Sequence, residues 1–256
     1  MLRRDFLRYL FKGLSLLTLG EGLKKIIWPI SVNAALPPNR WLFLVDTYKC
    51  LGCGFCVQAC KLENEIPVQA NVSRTWVERY VVTPEGTLTD SPKEGREGFI
   101  NNRVELAPGR YQNIPKEKIK KGFFVPKLCN QCEKPPCVQV CPVGATYKTG
   151  EGITLIDRKW CIGCGYCIMA CPYGMRFFHP QYHVADKCNF CYHRIHKGIK
   201  PACVLACPTG ARNIGNLRDP EDQVKKIIIS QRVGILKGEY GTKPQVYYLG
   251  LSEEVR

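Results

Sequence analysis

The apolar positions of this chain come in short runs divided by glycine, proline and charge, so the elements they predict are short too. Trp41–Asp46 reads WLFLVD, a short apolar strand. Residues 76–82 alternate apolar and polar side chains, as a strand does. A polar stretch punctuated by Glu85-Gly86, Gly95, Gly98, Pro108-Gly109 and Pro115 follows, and residues 63–122 read as a surface insertion with one or two hairpins, suited to docking a partner. Residues 145–148, a Thr149-Gly150-Glu151-Gly152 turn and residues 153–157 predict a β-hairpin. Residues 173–187 carry aromatic and histidine side chains without that pattern. Residues 221–236 follow Asp219-Pro220, open with acidic residues and space their apolar side chains helically. Tyr247-Tyr248-Leu249 predicts an edge strand.

The cysteines change this picture. Sixteen among 256 residues need a covalent or metal explanation. They form four runs: Cys50, Cys53, Cys56, Cys60; Cys129, Cys132, Cys137, Cys141; Cys161, Cys164, Cys167, Cys171; and Cys188, Cys191, Cys203, Cys207. Run three, closed by Pro172, has the spacing C-x2-C-x2-C-x3-C-P. That is the bacterial ferredoxin signature, in which three cysteines hold one iron–sulfur cubane and the fourth reaches the neighbouring one. Three thiolates on a tight glycine-bearing loop can face three corners of a cube, while the fourth has passed onto the following helix.

Run one nearly copies run three: Cys50-Leu51-Gly52-Cys53-Gly54-Phe55-Cys56 against Cys161-Ile162-Gly163-Cys164-Gly165-Tyr166-Cys167, each preceded by an aspartate, Asp46 and Asp157. Runs two and four match in turn, Cys129-Asn130-Gln131-Cys132 against Cys188-Asn189-Phe190-Cys191 and Cys141-Pro142-Val143-Gly144-Ala145 against Cys207-Pro208-Thr209-Gly210-Ala211. The types alternate, which is internal duplication. Two departures stand out. Lys61 occupies the place of the proline in the other runs, which should change the loop's exit and not ligation. Run four widens the gap between its second and third cysteines to residues 192–202.

The formal charge of +15 invites a nucleic-acid partner, but it counts every cysteine as neutral. Four cubanes with sixteen thiolates would add roughly −8, and residues 1–34 hold six Lys or Arg against Asp5 and Glu21, a net of +4 in a segment expected to be removed. No basic-aromatic comb or zinc-finger spacing supports nucleic acid. Residues 1–35 read as an export signal: Arg3-Arg4 followed by Phe6-Leu7, an apolar stretch at 14–19 and small residues near Ala34. The paired arginines resemble a twin-arginine signal, with Leu2 where Ser or Thr is usual. Export of a folded protein fits clusters inserted beforehand and argues against a disulfide scaffold.

A two-cluster module needs one run of each type, and two assignments exist. The hairpin at 145–157, placed as in the middle of a small ferredoxin, favours pairing runs two and three, with runs one and four closing around them. With the fourth cysteine exchanged in each pair, four ligand sets follow. Set 1 is Cys50, Cys53, Cys56 and Cys207; set 2 is Cys60, Cys188, Cys191 and Cys203; set 3 is Cys129, Cys132, Cys137 and Cys171; set 4 is Cys141, Cys161, Cys164 and Cys167. Every position is cysteine, so four [4Fe-4S] clusters are expected and no three-iron centre. Trp160 is expected to pack over a cluster and exclude water. His179, His183, His193 and His196 read as surface or packing residues, no catalytic signature emerges, and no small-molecule substrate of its own is expected.

These runs, in this order, with the widened fourth and the signal ahead of them, resemble the four-cluster electron-transfer subunit of the DMSO reductase family, over residues 41–251. The segment from Gly241 to Leu251 is similar to tails of the sulfur-compound branch, especially the tetrathionate type. The resemblance implies an electron wire and not an enzyme in its own right, lying between a molybdopterin catalytic subunit and a quinone-reactive integral membrane subunit. Its complex would reduce polysulfide, thiosulfate, tetrathionate or a related compound, in the periplasm or on the outer face of the cytoplasmic membrane. The electron subunit of a hydrogenase, a formate dehydrogenase or a formate-dependent nitrite reductase, or a free polyferredoxin, is the alternative. The expected fold is α+β: two pseudo-symmetric ferredoxin-like modules, nested, with 36–62 and 180–256 forming the outer one, 123–179 the inner one and 63–122 the insertion.

Overall fold

A computed structural model describes residues 37–90, 98–99 and 115–255. The export signal expected at 1–35, and the part of the insertion at 91–97 and 100–114, lie outside the described residues. Strand β1 is Trp41–Asp46, as its apolar run predicts. Its side chains alternate between two covered faces. Phe43 and Val45 enter the main core, while Leu42 and Leu44 meet Val224 and Ile228 beneath helix α6, Gln223–Ser230. Asp222 caps α6, its Oδ1 accepting from Lys225 N at 2.9 Å.

β1 sits inside a four-stranded sheet of order β10-β11-β1-β9, with β9 at Arg212–Asn216, β10 at Val233–Gly234 and β11 at Val246–Leu249. β11 runs parallel to β1, and β9 antiparallel. Two expectations are corrected. Residues 247–249 are an interior strand and not an edge, because β10 covers their outer side. The helix expected over 221–236 ends at Ser230, because Val233 and Gly234 are taken up in pairing with Leu249 and Tyr248.

β2, Thr75–Thr83, lies between β3, Gly86–Asp90, and β4, Lys121–Leu128. This sheet is more than a surface excursion. Val77, Tyr80, Val125 and Leu128 are buried in the main core, and Tyr80 stacks on Phe123 at 5.2 Å. The predicted hairpin at 145–157 is β5, Thr146–Lys148, paired with β6, Thr154–Ile156. Residues 173–187, read as lacking a hairpin, do contain a small one: β7, Phe177–Phe178, pairs with β8, Ala185–Asp186. The hairpin between runs two and three therefore does not by itself decide how the runs pair.

The remaining helices follow the cysteines. α2, Pro136–Gln139, α3, Tyr166–Met169, and α5, Ala202–Leu205, stop after four residues, just ahead of the Cys-Pro pairs of runs two, three and four. α4, Tyr192–Ile195, occupies the widened gap of run four. In run one, α1 continues over Phe55–Glu63, because Lys61 keeps the backbone donor that proline lacks. α1 packs on α5, and α2 on α3. Among the described residues no helix is long and apolar enough to cross a membrane.

Candidate metal centres

Each C-x-x-C loop turns through a left-handed residue two places after its first cysteine: Gly52, Gln131, Gly163 and Phe190, with φ of 69°, 45°, 70° and 55°. That turn brings backbone N–H groups round toward sulfur, and Phe190 N donates to Cys188 Sγ at 3.4 Å. At Gln131 and Phe190 the residue carries strain of about 1–2 kcal/mol that glycine would avoid. Packing holds both. Gln131 Nε2 donates to Cys188 O and its Oε1 accepts from Thr154 N, each at 2.7 Å, while Phe190 is buried against Phe43. The aspartates ahead of runs one and three close the strands before them: Asp46 Oδ1 accepts from Tyr48 N, and Asp157 Oδ1 from Lys159 N.

The fourth cysteine of runs two, three and four enters a Cys-Pro-x-Gly turn, where the amide of Gly144, Gly174 or Gly210 donates to that cysteine's carbonyl. The amides that follow form a small anion-binding hollow. Burial would raise the Cys141 thiol, but hydrogen bonds from the amides of Thr146, Val143 and Ala145 outweigh it and bring it below its ordinary value. At Cys207, burial is likewise outweighed, by the Thr209 hydroxyl and the amides of Ala211, Thr209 and Arg212. Run one has no such turn. Cys60 takes a contact from Asn64 Nδ2 at 3.5 Å, and burial, with Cys188 and Cys203 beside it, holds its thiol well above the ordinary value.

Mutual repulsion identifies which thiols are neighbours. Burial pushes Cys50 up to about 11, with Cys56 and Cys207 adding to it. Cys53 and Cys207 act on Cys56. Cys60, Cys188, Cys191 and Cys203 act on one another, all four of them buried. Burial pushes Cys132 up to about 12, with Cys129, Cys137 and Cys171 contributing. Cys161 packs beside Cys137 and Cys167 in one apolar cluster. Cys164 is exposed, and after burial the leading influences on Cys141 are backbone amides and not other thiols. Electrostatic influence also runs between groups: Cys56 acts on Cys203, and Cys129 on Cys188.

Cys129, Cys132, Cys137 and Cys171 line one cavity, together with Asn130, Thr154 and Arg176. Among the described residues no three cysteine, histidine or acidic side chains converge on a point suited to a single metal ion. These four thiols instead surround a space.

Buried cations stand among the thiols. Arg176 Nη2 donates to Cys137 Sγ at 3.0 Å. Burial would lower this guanidinium, yet Cys137, Cys129 and Cys167 hold it above its ordinary value. Arg212 is wholly buried and likewise held up, by Cys56, Cys203 and Cys50 against the effect of burial. Arg74 pairs with Asp186 in the interior, and Lys187 donates to Cys188 O at 2.9 Å. Sequence reasoning missed these residues, although a signal was present. Arg176 and Arg212 each follow the fourth cysteine of their run by five positions, in Cys-Pro-x-Gly-x-Arg.

Two models described as 4Fe-4S dicluster domain match this chain, over residues 49–145 and 120–217. The B subunit of tetrathionate reductase from Salmonella typhimurium is 37% identical over 98% of this chain and 89% of that protein. A protein of the same name from Archaeoglobus fulgidus is 43% identical over 84% of each sequence, and the B subunit of polysulfide reductase from Wolinella succinogenes is 35% identical over 82% of this chain and 93% of that protein. This protein belongs to the iron–sulfur B-subunit family of these reductases.

As a B subunit of this family it is an electron-transfer chain and not itself the catalyst, with two dicluster domains and sixteen cysteines for four [4Fe-4S] clusters. The residues present fit such groups. Anionic clusters account for cations buried among thiols, which would otherwise be costly. Asn130, Thr154 and Arg176 each end in a buried polar atom without a protein partner, as the surroundings of hydrogen-bond-accepting sulfur would.

One expectation for this B subunit fails. Trp160, expected to pack over a cluster, is instead 68% exposed at the surface of the chain. The histidines divide. His193 and His196 pair on the surface with Glu63 and Glu151, while His179 is wholly buried against Tyr182.

Proposed function

We propose that this chain carries single electrons along four [4Fe-4S] clusters held by sets 1 to 4 in that order, between a molybdopterin catalytic subunit and a quinone-reactive membrane subunit. The observation that carries the order is Arg176, which bonds Cys137 and is held up by cysteines of sets 3 and 4, together with the electrostatic influence of Cys56 on Cys203 and of Cys129 on Cys188. When bound, each cluster supplies one reversible electron-accepting centre. The chain's own residues do the rest. The four cysteines of set 2 are buried and keep water from the middle of the path, while Cys164, of set 4, is exposed where a partner can receive charge.

The nested pairing of runs is part of this proposal. It is supported by β1 pairing with β9, by α1 packing on α5 and α2 on α3, and by Cys60 lying beside Cys188 and Cys203. A sulfur compound as the substrate of the complex is supported by the names of the relatives, tetrathionate, thiosulfate and polysulfide reductases. Paired arginines near the N-terminus support assembly on the outer face of the membrane.

Cys171→Ala tests the exchange of fourth ligands. It should convert or abolish the cluster otherwise held by Cys129, Cys132 and Cys137, and leave the one served by Cys161, Cys164 and Cys167 intact. Electron paramagnetic resonance of the reduced protein, with Cys137→Ala as reference, reads the result. Loss of a different signal in the two variants would sink the ligand sets. Purification of the tagged chain without a large molybdenum protein would sink the assignment of its partner.

A further inference from the structure

The cavity lined by set 3 is unusual in the state of its polar wall. Both amide atoms of Asn130, the Thr154 hydroxyl and Arg176 Nε are buried there with no hydrogen-bond partner. Leaving one such group unsatisfied costs about 1–3 kcal/mol. Three residues that do so around one space point to something there that accepts hydrogen bonds.

Neighbouring polar atoms of the same residues are engaged, which pins the wall in place. Asn130 O accepts from Gln245 N, Thr154 N donates to Gln131 Oε1, and Thr154 O accepts from Lys187 Nζ. Arg176 spends Nη2 on Cys137 Sγ and Nη1 on Thr146 Oγ1. The sister position in run four behaves differently. Asn189 Oδ1 accepts from Cys191 N at 3.1 Å and from Arg74 Nη1 at 3.3 Å, so that side chain serves its own loop. The same residue in the same loop is spent in one run and left free in the other.

We infer that Asn130, through Nδ2, and Thr154, through its hydroxyl, donate hydrogen bonds to the cluster held by Cys129, Cys132, Cys137 and Cys171, and with Arg176 raise its reduction potential. The physics has a definite sign. Reduction adds one negative charge, so donors aimed at sulfur stabilise the reduced form more than the oxidised one. Asn130 and Thr154 are positioning and tuning residues, since the thiolates alone bind iron. The inference rests on the ligand sets proposed above.

The test is a potentiometric titration of the anaerobically purified complex followed by electron paramagnetic resonance, with dithionite supplying one electron per cluster through mediators. Asn130→Leu should keep full iron content and lower one midpoint. At that cluster's original midpoint the ratio of reduced to oxidised should fall about tenfold, a shift of about 59 mV for one electron. The other three midpoints should stay put. Thr154→Val should move the same signal the same way, and Thr154→Ser, which retains the hydroxyl, should not. Full iron with no midpoint moved in Asn130→Leu or Thr154→Val overturns the inference. If Asn130→Leu fails to load its cluster, the Thr154→Val and Thr154→Ser pair decides. Should Asn130→Leu shift a signal other than the one lost in Cys171→Ala, the ligand set falls; should Cys171→Ala behave as expected while both donor variants shift nothing, only the donor role falls.

Discussion

A buried charge is expensive unless something meets it, and Arg74 shows how this chain meets its own. Its guanidinium grips Asp186 with Nε and Nη2, lends Nη1 to Asn64 and Asn189, and lies close enough to Cys60 to pull that thiol down. Both partners of the ion pair are only 6% and 7% exposed. Arg74→Met should therefore cost up to about 3–5 kcal/mol, because it leaves the buried Asp186 carboxylate with only the amide of Lys187 and Arg158 at 3.9 Å. A fall in the thermal midpoint of the cluster-loaded protein measures it, and a midpoint unchanged from the parent would show that Arg158 and the Lys187 amide suffice for Asp186. Asp186→Asn in the same background should recover part of the loss. Arg74 sits outside every cysteine run and leaves no mark in the sequence pattern, since its partner is 112 positions away. Arg176 and Arg212 were open to reading, as both stand at one fixed offset from a cysteine in a duplicated motif.

Among elements, α1 carries the clearest lesson about proline. Three cysteine helices stop after four residues and α1 runs for nine, and the difference traces to Lys61. That side chain is wholly buried, its Nζ donating to Val68 O and Ala70 O and so tying the helix to the loop beyond it. Restoring the proline of the other runs should not be neutral. Lys61→Pro should cost about 3 kcal/mol or more, through a lost helical bond and a clash, and chemical denaturation of the loaded protein would detect it. An unchanged denaturation midpoint would mean that the extended helix is incidental. The sequence announced a changed exit at this point, and the hairpin at 145–157 and the strand at Trp41–Asp46 were equally plain. The pairing of β7 with β8 was hidden, because two residues a side are too few to set up an alternation. The interior place of β11 was hidden for another reason. Its neighbours are β1 and β10, and no local pattern distinguishes a strand covered on both sides from one at an edge.

On the scale of the whole molecule, metal and fold are one system. Arg176 and Arg212 are charged groups set among thiols in the interior, and their burial is compensated only while those thiols are anionic and gathered. Removing the iron with chelator and reductant should therefore loosen the fold as well as bleach it. Far-ultraviolet circular dichroism should change together with the visible absorbance, and secondary structure that persists intact after the colour is gone would contradict the coupling. The central sheet adds a constraint of timing. Thr47, just past β1, bonds Leu249 at the end of β11 from 202 positions away. A ribosome makes β1 well before β9 and β11, the strands that flank it. Trp41–Asp46 must wait uncovered until both have emerged, so run one cannot reach its final surroundings before run four and β11 have been made.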